Sequence, residues 1–185
     1  MTSLRRFVPA FVLLASACGY NTIQTYDEQV NSAFSQIKVQ LQRRADLIPN
    51  LVATVQGYAK QERDIFTAVA EARARLNGAI QAGDPQQMAE ANQALNAPLG
   101  RLLAIVENYP QLKSSENFRA LQDELAGTEN RIAVSRQDYN DAVNRYNAYI
   151  RRFPQVLTAK VTGAKARTYF QERAGADTVP TVKFN

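Results

Sequence analysis

Cys18 is the residue whose type and setting point most directly to a chemical event. The chain holds a single cysteine and no histidine. A lone thiol cannot form an intrachain disulfide. Without histidine, neither a Cys/His zinc site nor a thiol–imidazole pair can be assembled. Acid–base catalysis wants two carboxylates facing one substrate. Glu62 is the one acid expected in a helix seam, and no second carboxylate is placed to work with it. Di-iron helical bundles use Glu-x-x-His pairs, which this composition rules out. Neither a nucleophile elbow nor a glycine-rich phosphate loop occurs. The expectation is therefore a non-enzyme with no catalytic residues, no cofactor and no metal.

What surrounds Cys18 gives the thiol its expected role. Arg5 and Arg6 precede an apolar run from Phe7 to Ala17, the pattern of a secretory leader. That run is too short to span a hydrocarbon core of about 30 Å. Leu14-Ala15-Ser16-Ala17-Cys18 resembles the bacterial lipobox, with Ala15 where leucine is commonest. On that resemblance residues 1–17 are a lipoprotein signal peptide and Cys18 becomes the acylated first residue. Two or three acyl chains anchor stably where one does not. The alternative is an ordinary signal peptide cut near Ala17, leaving Cys18 unmodified. Gly19 rather than aspartate follows the cysteine. The expected location is the bacterial cell envelope, lipid-anchored, and, by resemblance to the sorting rule of two-membrane bacteria, the periplasmic face of the outer membrane if the organism has two membranes.

The elements behind the anchor are helices. From Phe118 to Phe153 the positions Phe118, Leu121, Leu125, Thr128, Ile132, Ser135, Tyr139, Ala142, Tyr146, Tyr149 and Phe153 recur in unbroken 3-4 alternation. That is the seam of one amphipathic helix of about 50 Å, which needs partner helices. Residues 18–22 read as a lipidated tether, and Thr22 as a cap for a helix carrying Ile23, Tyr26, Val30, Ala33, Phe34, Ile37 and Leu41. That helix is expected to end near Arg44. A tight turn follows at Ala45–Pro49, with Asp46 capping the next helix; the alternative is one kinked helix running through. The second seam holds Leu51, Val55, Tyr58, Glu62, Ile65, Val69, Ala72, Leu76 and Ala79, closed by Asn77-Gly78. Asp84-Pro85 starts a third helix with Met88, Ala91, Leu95, Leu99, Leu102, Ile105 and Val106, kinked or broken at Pro98. Ser114 or Ser115 caps the fourth. Thr178 to Phe184 alternates apolar residues as an extended tail laid on the helices.

The fold class expected is all-α: an antiparallel up-down-up-down four-helix bundle with long helices and an irregular C-terminal tail, over residues 23–185. The second and fourth helices look longer than the first and third. The net charge is +5, and loss of Arg5 and Arg6 leaves 20 basic against 17 acidic residues, or +3. The charges are interspersed, as on solvated helix faces, not clustered as nucleic-acid binding requires.

Arg43-Arg44-Ala45-Asp46-Leu47-Ile48-Pro49-Asn50-Leu51-Val52, Gly57-Tyr58-Ala59-Lys60 and Glu71-Ala72-Arg73-Ala74 resemble the LemA family. So do Glu107-Asn108-Tyr109-Pro110, Glu116-Asn117-Phe118, Thr128-Glu129-Asn130-Arg131-Ile132-Ala133, Tyr139-Asn140-Asp141-Ala142-Val143, Phe153-Pro154 and Val179-Pro180. The resemblance covers nearly the whole mature chain. It implies a membrane-anchored extracytoplasmic four-helix protein that works through partners and supplies no catalytic residues. Members usually carry one transmembrane helix at the N-terminus, from which this lipobox-like leader departs.

In an antiparallel bundle, Arg43, Arg44, Asp46, Asn50, Glu107, Asn108, Tyr109, Glu116 and Asn117 would gather at one pole, roughly 35 Å from Cys18 by helical rise. They are either a tip that binds a partner or ordinary capping and turn chemistry. Two functions follow: a scaffold or adaptor for an envelope or membrane protein, or a carrier or sensor of a small apolar ligand or lipid held between helices.

Overall fold

The computed structural model describes residues 4–171, with side chains from Gly19 onward. The expected tail at Thr178–Phe184 and the thiol of Cys18 lie outside what is described. Six helices and no strands occur among the described residues: α1 (Leu4–Gln56), α2 (Arg63–Ala82), α3 (Pro85–Val106), α4 (Pro110–Lys113), α5 (Glu116–Arg151) and α6 (Gln155–Thr162). The chain forms two compact units. One takes in residues up to Gln40 with Arg131–Tyr169; the other takes in Leu41–Asn130 with Phe170.

The turn expected at Ala45–Pro49 is absent. α1 continues through Pro49 to Gln56, so the kinked-helix alternative was nearer the truth. Proline has no N–H to give the carbonyl four residues back, which leaves the Ala45 oxygen without its helical donor. Arg73 Nε of α2 supplies one at 2.7 Å. Apolar packing favours continuation as well, since Leu41, Ala45, Ile48, Leu51 and Val55 are all buried in one 3-4 seam. Thr22 is accordingly inside α1 and caps nothing.

The chain turns instead at Gly57–Glu62. Tyr58, expected in a seam, is 47% exposed there. Glu62 stands ahead of α2 as its N-cap residue, without a capping side-chain bond. With residues 45–56 in α1, the long helices are α1 and α5, of 53 and 36 residues, and α2 and α3 are the short ones, of 20 and 22. The expectation of a long second helix and a short first one is reversed. α2 runs through Asn77-Gly78 and stops at Gly83, whose φ of 69° lets its N–H reach the Ala79 carbonyl at 3.1 Å.

α3 begins as expected, with Asp84 accepting from the Gln87 N–H at 2.8 Å and Pro85 in the first turn. Pro98 does not break it. The proline removes one helical bond, to the exposed Ala94, while Leu95, Leu99 and Leu102 keep the same face buried. The Ser115 hydroxyl accepts from the Phe118 N–H at 3.5 Å and opens α5.

The α5 seam holds from Phe118 to Tyr146, with Phe118, Leu125, Thr128, Ile132, Tyr139, Ala142 and Tyr146 buried. It fails at its last position. The helix ends at Arg151, and Phe153 is 81% exposed. Ile150 takes over as the last buried apolar residue of the helix.

Candidate functional site

In the unit built on Leu41–Asn130, the polar centre is Arg44. Its helix carries it at a seam position, so its side chain points inward and is buried. Nη1 donates to Asn92 Oδ1 at 2.6 Å and lies 2.6 Å from Glu129 Oε2; Nη2 donates to Asn96 Oδ1 at 2.8 Å. Asn92 is only 1% exposed. A buried guanidinium is tolerable only with such partners. One arginine thus ties α1 to α3 and α5. Beside it, Arg43 Nη2 meets Glu124 at 2.7 Å on the exposed side.

The described contacts sort the nine residues of the expected tip into groups. Asn50 and Asn117 come together with Leu47, Leu121 and Glu124 along a groove of about 540 Å³ between α1 and α5. Arg43 reaches this groove through Glu124, whereas Arg44 turns into the interior. Asp46 accepts from Gln42 Nε2 at 2.9 Å, one helical turn back, and caps no helix. Glu107, Asn108 and Tyr109 make the turn after α3, their N–H groups donating to Ala104, Ile105 and Val106. The Glu107 carboxylate pairs with Lys113. Glu116 occupies the first turn of α5, where a carboxylate suits the helix dipole.

In the other unit, an extended stretch after α6 is held by side chains. Asn147, buried on α5, donates to the Arg167 carbonyl at 2.9 Å and accepts from the Arg167 N–H at 2.8 Å. Arg167 then grips Asp27 of α1 through Nε and Nη2 at 2.7–2.9 Å. The Tyr139 hydroxyl donates to the Thr168 carbonyl at 2.8 Å, and Tyr149 packs edge-on against Tyr26 at 5.1 Å.

Burial pushes the Tyr146 phenol above its ordinary value of 10.0. The Asp27 carboxylate adds to that rise, and the Arg167 guanidinium opposes it. The folded state therefore holds this proton after the unfolded state has released it. The contribution to stability is complete below pH 10 and is lost as pH climbs from there through the folded pKa. A spectroscopic phenolate titration should show one late component, absent in Tyr146→Phe.

Sequence reasoning missed Asn92, Arg73 and the Asn147–Arg167–Asp27 set. Asn92 left a signal: Met88, Asn92, Leu95 and Leu99 form a clean helical seam, in which Ala91 had been placed instead. The contacts of Arg73 and Arg167 join residues far apart in sequence and leave no local pattern.

Among the described residues, no group of three metal-ligating side chains occurs, and no helix is long and apolar enough to cross a membrane. Fold and site define a class: an all-helical protein whose buried polar groups lock helices in register. A family model described as LemA family matches residues 33–184, and the chain belongs to that family. Magnetosome protein MamQ 2 of Paramagnetospirillum magneticum is 32% identical over 182 residues, covering 86% of this chain and 67% of the relative. Magnetosome protein MamQ of Magnetospirillum gryphiswaldense is 30% identical over the same coverage. Protein LemA of Metamycoplasma hominis is 22% identical over 133 residues, 72% of this chain and 60% of that protein.

Proposed function

We propose that this chain is a lipid-anchored bacterial envelope protein, held at a membrane through Cys18, whose helices pack as an antiparallel bundle. It acts as a scaffold or adaptor for an envelope or membrane protein and performs no catalysis. The observation that carries this reading is the order of its parts: a leader closed by Leu14-Ala15-Ser16-Ala17-Cys18, then helices with apolar seams and charged outer faces. Membership of the LemA family and likeness to magnetosome proteins support a place at a membrane. The partner surface is the groove of Asn50 and Asn117 with its rim at Arg43 and Glu124. Gly19 after the cysteine favours the periplasmic leaflet of an outer membrane.

Metabolic labelling with an alkyne fatty acid tests the anchor. The wild-type chain should take up label and sediment with membranes. Cys18→Ser should lose the label. An unlabelled wild-type chain would end the lipoprotein reading.

A further inference from the structure

α6 carries its apolar residues on the wrong side for a core. Thr158 and Ala159 face inward, while Leu157 is 53% and Val161 is 88% exposed. These two are four apart and share a face of the helix. Phe153, a further four back and just ahead of the helix, is 81% exposed. A monomeric soluble surface scatters such residues singly; here three large ones fall within nine positions.

The charge around them has one sign. From Arg151 to Gln171 the sequence contains Arg151, Arg152, Lys160, Lys165 and Arg167 and no acid. Arg167 is engaged with Asp27, and the other four are exposed. From Asp27 to Arg145 acids and bases are interspersed, with no run of more than three of one sign. An apolar ridge beside exposed lysine and arginine is the pattern of a segment lying in the interface of an anionic bilayer.

The position of α6 points the same way. It packs against the start of the described α1 side chains: a Cβ placed on Gly19 would stand 3.5 Å from the Thr158 hydroxyl and 3.6 Å from Gln155 Cγ. Gly19 is the residue after Cys18. The apolar ridge therefore sits next to the point where acyl chains would enter the membrane, and Tyr20, 44% exposed, adds an interfacial side chain there.

We propose that the outer face of α6, through Phe153, Leu157 and Val161 with Arg151, Arg152, Lys160 and Lys165, docks onto the anionic lipid surface beside the Cys18 anchor. This rests on the membrane-anchored reading and deepens it: the protein lies against its bilayer by a second, non-covalent contact. That contact sets how the domain stands on the membrane. Each basic residue near an anionic surface strengthens binding about fivefold at physiological salt, and the effect fades as the Debye length shrinks.

The chain contains no tryptophan, so Leu157→Trp places a single fluorophore on this face at an exposed position. The full chain carrying it is reconstituted with vesicles of phosphatidylcholine alone or of equimolar phosphatidylcholine and phosphatidylglycerol. With the anionic vesicles, emission should shift to the blue and be quenched by lipids brominated on the acyl chains. Lys160→Glu with Lys165→Glu should cut binding of the Cys18→Ser full chain to those vesicles by about tenfold or more. Circular dichroism checks that each variant folds. Mass spectrometry of the chain purified from membranes reports acylation separately. Quenching in an unacylated chain would remove the lipid anchor and leave the α6 contact standing. A chain that sediments with anionic vesicles while its tryptophan stays water-exposed and unquenched would overturn the α6 contact and leave the anchor untouched. A chain that stays in the supernatant would overturn both.

Discussion

Replacing Arg44 by methionine should lower the unfolding free energy by about 2–4 kcal/mol, read from urea denaturation followed by circular dichroism. The loss has two sources. Asn92, 1% exposed, forfeits the donor at its Oδ1 and keeps a buried oxygen without a bond, a change that costs about 1–3 kcal/mol. Glu129 and Asn96 lose their partner as well, though Glu129 is about half exposed and water recovers much of that loss. Charge reversal, Arg44→Glu, should be worse, since it puts a carboxylate beside Glu129 and leaves Asn92 unpaired. Arg43→Glu should stay within about 1 kcal/mol, because its pair with Glu124 is exposed. A partner-binding test at this place must therefore vary Arg43 and leave Arg44 intact. A midpoint for Arg44→Met equal to that of the parent would show that the buried network adds nothing to stability.

The second large effect is a coupling. Arg73→Leu should cost about 1–3 kcal/mol, because the Ala45 carbonyl then has no donor inside a helix interior. Its dependence on Pro49 is the sharper result. Pro49→Ala restores a backbone N–H one turn after Ala45 and lets the helix satisfy that oxygen itself. In that background the loss from Arg73→Leu should shrink by about 1 kcal/mol or more, the size of coupling expected for residues sharing one partner. Equal losses in both backgrounds would mean that Arg73 contributes through some contact other than this carbonyl.

These two arginines also mark where the sequence stopped being readable. The seam of α1 runs through the expected turn without a gap: Ile37, Leu41, Arg44, Ile48, Leu51 and Val55 keep the 3-4 spacing. It was interrupted on paper by a charge at Arg44 and a proline at Pro49. Both are local signs of a helix end, and both are answered by distant residues, Asn92 and Arg73. Glycine at Gly57 was the better boundary marker. The start of α3 was legible because its causes are local: Asp84, Pro85 and Gln87 lie within one turn. The long seam of α5 was legible because periodicity over many turns averages out single exceptions such as Thr128 and Ser135. Its end was not, because Phe153 fits the spacing but lies past Arg151, where the helix has stopped.

Of the candidate site, Asn50 and Asn117 do line one groove, but the turn expected beside Asn50 is absent and the residue lies inside α1. The inward turn of Arg44 could not be read from spacing alone, since an arginine at a seam position looks the same whether it snorkels out or pairs within.

The grip of Arg167 on Asp27 joins residues 140 positions apart. It cannot form until the ribosome has made nearly the whole chain, whereas the stretch from Leu41 to Asn130 is contiguous and complete much sooner. The unit that holds the N-terminal part of α1 is thus the last able to close. On the exported reading proposed above, this order would help the chain cross a membrane unfolded, because its leading end stays open for threading until synthesis is almost over.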